Sequence, residues 1–82
     1  MEIVVWKKGK EGFNMWFETS SVDDIEKFYV GNLVELTRRR HWYLTVFHDN
    51  GAKVLVDKEE IFRKMQQTGG NFIEAIKKYF WL

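Results

Sequence analysis

The sequence predicts a single α+β domain in the order ββαββαα, with two hairpins in one four-stranded, mainly antiparallel sheet and helices packed on it. Three observations lead there. Two pairs of β-rich runs are each joined by a short, glycine-bearing connection. Three further segments show apolar residues at helical spacing behind a capping residue. Finally, 82 residues with 45% hydrophobic and 17% aromatic content are enough for one thin core, and disordered chains lack such an aromatic share.

Glu2 to Lys7 is β-rich and Phe13 to Glu18 is aromatic-rich, with Lys8-Gly9-Lys10-Glu11-Gly12 between them as a hairpin connection. Ser21 caps the first helix, with Asp24 at the capping-box position and Asp23 favourable at the positive N-terminus. Val22, Ile25, Phe28, Tyr29, Leu33 and Leu36 form one apolar stripe, so a single helix is expected to run through Gly31. The rival reading ends it at Gly31-Asn32 and makes residues 33–38 a strand. Arg38-Arg39-Arg40 is poor turn chemistry for a following hairpin, which favours the long helix.

Trp42 to His48 and Ala52 to Val56 form the second hairpin, with Asn50-Gly51 expected as a two-residue type I′ turn. Asp57 caps the next helix, with Glu60 at the box position and Glu59–Arg63 and Glu60–Lys64 spaced as i,i+4 pairs. Gly69-Gly70 stops it. Asn71 caps a last helix whose stripe is Phe72, Ile73, Ile76, Tyr79 and Phe80. The terminal Trp81-Leu82 is expected to tuck onto the core.

Simple alternation sorts the strand residues into faces. Ile3, Val5, Phe13, Met15 and Phe17 would share one face of the first hairpin, with Val4, Trp6, Asn14 and Trp16 on the other. A two-residue loop pairing Asp49 with Ala52 would place Tyr43, Thr45, Phe47, Val54 and Val56 together. Trp42, Leu44, Val46, His48, Lys53 and Leu55 would lie opposite. Neither face is cleanly polar, so each needs a cover: first a helix of this chain, then a homodimer partner or another protein, then stacked nucleobases.

Composition excludes several classes of function. The absence of cysteine removes disulfide frameworks, thiolate metal sites and thiol nucleophiles, and suggests a cytoplasmic setting. No apolar run approaches a membrane span and nothing after Met1 resembles a signal peptide. A net charge of +1 from thirteen basic and twelve acidic residues leaves any electrostatic role to local clusters.

The most distinctive cluster is Arg38-Arg39-Arg40-His41-Trp42-Tyr43, where cations adjoin aromatics as in phosphate contact with base stacking. The same arginines also suit a solvated helix C-terminus. Lys7, Lys8 and Lys10 would add to this patch if the first hairpin turn lies beside it, and Trp6 and Trp16 supply further rings. His41 and His48 are the only histidines. His48-Asp49 resembles an oriented base but reads more simply as a strand end. Asp57, Glu59 and Glu60 are explained by capping rather than metal ligation, and Ser20 and Ser21 have no candidate base nearby. No nucleotide-binding, zinc-protease or serine-hydrolase motif occurs.

The expectation is therefore a non-enzymatic module without metal or cofactor, engaging a protein or nucleoprotein partner. Small domains of this character are often phage- or mobile-element-encoded inhibitors of host machinery. The alternatives are binding of RNA or single-stranded DNA, and a small toxin-type ribonuclease using His41 or His48.

Overall fold

The computed structural model describes residues 1–39 and 41–80. Two antiparallel hairpins, β1 (Glu2–Gly9) with β2 (Gly12–Thr19) and β3 (Trp42–Phe47) with β4 (Lys53–Val56), join through β1 and β3 into a sheet of order β2-β1-β3-β4. Four helices follow the hairpins: α1 (Val22–Gly31), α2 (Leu33–Arg38), α3 (Lys58–Gln67) and α4 (Phe72–Ile76), the last extended by a 3-10 turn over Lys77–Phe80. The predicted α+β class and element order are correct. Exchanging the two hairpin–helix halves maps the strand order onto itself, although the sequence carries no repeat.

The helices all cover one side of the sheet. Ile3, Val5, Trp42, Leu44, Val46 and Val56 point into a cluster with Ile25, Tyr29, Leu36, Ile61, Phe72 and Ile76. Tyr29 stacks on Phe72 with ring centres 4.1 Å apart, and its hydroxyl donates to the Met65 sulfur at 3.7 Å. Burial raises the Tyr29 pKa above the ordinary phenol value. Trp42 is equally buried, donating its indole N–H to the Leu36 carbonyl at 3.0 Å and so tying β3 to α2.

Two local features reverse the face assignments expected from alternation. In β2 the register slips opposite Val5/Trp6: Val5 faces Phe17 but Trp6 faces Met15, leaving Trp16 as the extra residue of a β-bulge. Phe13 and Met15 therefore share a face with Trp6, and Trp16 turns to the helical side against Phe28. In the second hairpin the loop holds three residues, not two. His48 N–H donates to the Ala52 carbonyl, Gly51 N–H donates to the His48 carbonyl, and Gly51 alone is left-handed at φ 89°.

This geometry is a turn closed by a glycine bulge rather than a type I′ turn. It pairs Val46 with Val54 and Thr45 with Leu55, so Val54 and Val56 join the core face while Lys53 and Leu55 join Tyr43 and Phe47. A one-residue change of register moves every side chain of β4 to the other side.

The long helix expected over Val22–Leu36 is broken at Asn32, where φ −124° and ψ 30° interrupt the helical path. The Asn32 backbone N–H and side-chain amide both bond the Phe28 carbonyl, closing α1 before α2 begins. The chain stays helical beyond the break, so the strand alternative fails. The apolar stripe does not survive intact, because α2 keeps Leu36 inside and leaves Leu33 exposed with Val30 and Val34.

The caps are as expected. Ser21 accepts from Asp24 N–H, Asp57 from Glu59 and Glu60, and Asn71 from Glu74. Glu60 reaches across to Lys78 and to the Tyr79 hydroxyl, linking α3 to the last turn. The tuck of Trp81-Leu82 and the placement of Arg40 lie outside the described residues.

The turn assignment separates two neighbouring substitutions. Gly51→Val places a β-branched residue at positive φ and is expected to lower unfolding free energy by about 1–3 kcal/mol. Asn50→Ala, at a position with negative φ, is expected to lose less than about 1 kcal/mol. Thermal or urea unfolding checks both, and equal losses would restore the type I′ turn.

Candidate functional site

The side of the sheet away from the helices carries Glu2, Val4, Trp6 and Lys8 from β1, Phe13, Met15 and Glu18 from β2, Tyr43, Thr45 and Phe47 from β3, and Lys53 and Leu55 from β4. Its centre is closed by its own side chains. Val4 is 4% and Thr45 0% exposed although neither touches the helical core, and the Trp6 indole N–H donates to Thr45 Oγ1 at 3.0 Å. Trp6 stacks beside Tyr43 with ring centres 5.9 Å apart, and Phe13 meets Tyr43 edge-on at 4.7 Å. Around this centre Phe13, Met15 and Leu55 remain 47%, 56% and 63% exposed.

Charge is segregated along β1 but not across the whole face, since Lys53 of β4 lies in the row of Glu2 and Phe47. Glu2 and Glu18 lie at one end, where a hydrogen bond between their carboxyls, followed by their mutual repulsion, raises the Glu18 pKa. Lys8 lies at the far end of β1, and Lys53 lies over the Phe47 ring at 5.9 Å. Among the described residues, neither Glu2 nor Glu18 has a cation within ion-pair distance, and Lys8 has no carboxylate.

The two basic segments singled out in the sequence do meet. Lys8 N–H donates to the His41 carbonyl at 2.8 Å, placing the first hairpin beside the α2–β3 junction. Lys7, Lys8, Trp16, Arg39 and His41 line one small depression at this corner. A larger open one of roughly 580 Å³ runs from Lys8 and Phe13 past His41 and Tyr43 to Leu55 and Lys58. Lys7 points to the helical side, donating to Glu35 at 2.9 Å with its ammonium 4.6 Å from the Trp16 ring. That bond holds the Glu35 carboxyl below its ordinary pKa. Arg38 and Arg39 are exposed at the end of α2, and Lys10 sits at the hairpin tip.

The predicted site residues therefore divide. Trp6, Tyr43 and Lys8 share the open face. Lys10, Arg38, Arg39 and His41 lie exposed around the turn and helix end, with His41 beside Lys8. Trp42 is core, and Trp16, expected beside Trp6, is turned away by the bulge. Phe13, Met15 and Leu55 were missed because alternation without the bulge and the three-residue turn put them elsewhere. The signal that could have found the last is the Asp49-Asn50-Gly51 triplet, which also suits a three-residue loop.

The histidines do not form an acid–base pair. His48 Nε2–H donates to the Tyr79 carbonyl at 3.0 Å, fixing the ring to the last helical turn, while His41 is exposed at the opposite end of β3. Among the described residues no group of three His, Asp or Glu side chains could hold a metal, and no helix is long and apolar enough to cross a membrane.

The Glu2–Glu18 pair has a signed pH dependence. The raised folded-state pKa of Glu18 contributes stability at acid pH that is lost as pH rises through that value. Glu18→Gln keeps a hydrogen-bonding side chain and removes one charge. It is expected to raise Tm at about pH 7 and leave it unchanged at about pH 3, where the carboxyls are protonated. Equal effects at both pH values would separate the two carboxyls.

No protein family, curated protein or solved structure matches the chain.

Proposed function

We propose that this chain is a non-enzymatic binding module that engages a protein partner inside the cell through the open sheet face and the basic corner beside it. One observation carries this reading: every described helix packs on one side, leaving Phe13 and Met15 of one edge strand and Leu55 of the other exposed on the opposite face around Trp6 and Tyr43. Exposed aromatic and aliphatic side chains in one contiguous patch, rimmed by charge, are the usual mark of an interaction surface. Lys8, Lys10, Arg38, Arg39 and His41 would steer an acidic partner toward it. Such a small, cofactor-independent surface suits an inhibitor of the phage or mobile-element type, which acts by covering a site on a larger protein.

Catalysis is disfavoured in this reading because His48 spends its Nε2–H on a backbone carbonyl and, among the described residues, no side chain orients His41. A nucleic-acid reading draws on the Phe13–Tyr43–Lys8–His41 depression, where rings and cations adjoin as they do in single-strand binders. The modest net charge and the carboxylates on the same face favour the protein reading.

Capture of partners from lysate, with and without nuclease treatment, tests the choice. Met15→Glu with Leu55→Glu is expected to abolish capture. Arg38→Gln with Arg39→Gln is expected to slow association roughly tenfold at low salt without changing the fold. Micromolar affinity of the purified protein for generic RNA or DNA at physiological salt, lost after nuclease treatment, would instead establish the nucleic-acid reading.

A further inference from the structure

The central strand of the open face is complementary to itself. Along β1, the strand at its centre, the residues on this side run Glu2, Val4, Trp6, Lys8, with an acid at one end, a base at the other and apolar groups between. Glu18 joins Glu2 at the acidic end, and Phe13 flanks Lys8 at the basic end. Neither charge is neutralised within the described chain: no cation pairs with Glu2 or Glu18, and no carboxylate with Lys8. A hydrogen bond to the Glu2 carboxyl, followed by repulsion between the two acids, raises the Glu18 pKa.

We infer that a second copy of this chain covers the face, packed sheet against sheet about a two-fold axis that crosses β1 between Val4 and Trp6. This arrangement sets Glu2 of each copy against Lys8 of the other and Val4 against Trp6. The inference rests on reading the open face as a binding surface and names its occupant. Because the interface is isologous, each charge pair occurs twice.

Size and edges agree with this occupant. Four strands spaced about 4.8 Å apart and six residues rising about 3.3 Å each make a face of about 400 Å². Two such faces bury about 800 Å² together, below the roughly 1,200 Å² at the lower limit of standard interfaces, which suits only a weak, concentration-dependent dimer. Edge-to-edge association is less favoured, since β2 is bulged at Trp16 and β4 has only four residues. The other exposed apolar residues, Val30, Leu33 and Val34, lie on α1 and α2 and carry no charge pattern of this kind. The basic corner stays at the rim of the dimer, where each copy still presents Arg38, Arg39 and Lys10.

Sedimentation equilibrium of the intact chain from about 1 µM to about 500 µM, at ionic strength near 0.1 M, tests this pairing. The wild type is expected to dimerise with Kd on the order of tens of micromolar. Lys8→Glu and Glu2→Lys, each confirmed folded by circular dichroism, are expected to weaken the dimer at least roughly tenfold, and the double exchange to restore it. Val34→Lys, on the helical surface, should leave it unchanged. A monomer throughout this range overturns the inference. So does a dimer indifferent to both single reversals, or a double exchange no stronger than either single. A monomeric wild type whose Met15→Glu and Leu55→Glu variants still lose a foreign partner would overturn self-association alone and leave the binding-surface reading in place.

Discussion

The molecule depends on the pairing of β1 with β3. These central strands hydrogen-bond from Glu2–Phe47 to Lys7–Trp42, across about forty residues of intervening chain, and unite the two hairpins in one sheet. Both are buried on both sides in their middle. Ile3, Val5, Leu44 and Val46 meet the helices, while Val4 and Thr45 are sealed from the opposite side by sheet residues alone. A sheet whose second face has no helical cover must close that face with its own large side chains. Trp6 does so, lying beside Tyr43 and bonding Thr45, so the polar hydroxyl at 0% exposure has a partner. The aromatic content of the open face is therefore partly structural: Trp6 and Tyr43 protect the sheet, while Phe13, Met15 and Leu55 lie beyond what protection requires.

That division lets the open face be stable without a cover and still serve as the proposed binding surface. Residues at its centre are stacked and hydrogen-bonded before any partner arrives, which limits the ordering entropy lost on binding. The exposed residues surround the centre, and charge is segregated toward the ends of β1. A surface with one acidic end and one basic end fixes the orientation of whatever docks there more than it adds to affinity. The basic corner extends this pattern past the sheet edge, because the Lys8–His41 backbone bond fastens the first hairpin to the end of α2 and the start of β3.

Much of the fold was legible because local chemistry and tertiary structure agree. Ser21, Asp57 and Asn71 cap the helices they precede, and both hairpins lie where glycine-rich connections separate β-rich runs. The faces of β1 and β3 were legible, but those of β4 and of β2 before the bulge were not, for a reason specific to period-two structure. One extra residue, Trp16 in β2 or Asp49 in the second turn, inverts the faces on its far side, and neither leaves a mark in hydrophobicity. Asn32 is similar on the helical side: its side chain takes over the Phe28 carbonyl and re-aims the stripe, leaving Leu33 outside. The basic corner was half legible, since Lys7–Lys10 and Arg38–His41 are plain in sequence but their proximity comes only from the β1–β3 register.

The bulge at Trp16 separates Met15 from Phe17, residues two apart that an unbroken strand would place together. Phe17 stacks on Phe28 of α1 with ring centres 4.3 Å apart, whereas Met15 stands on the open face. Urea unfolding of Met15→Glu and Phe17→Glu at low protein concentration measures the difference directly. Met15→Glu is expected to change stability by no more than about 0.5 kcal/mol and Phe17→Glu to lose about 3 kcal/mol or more, because it forces a carboxylate against the helical layer. Comparable losses for the two variants would mean that they share a face, and would contradict the two-sided architecture on which the binding surface rests.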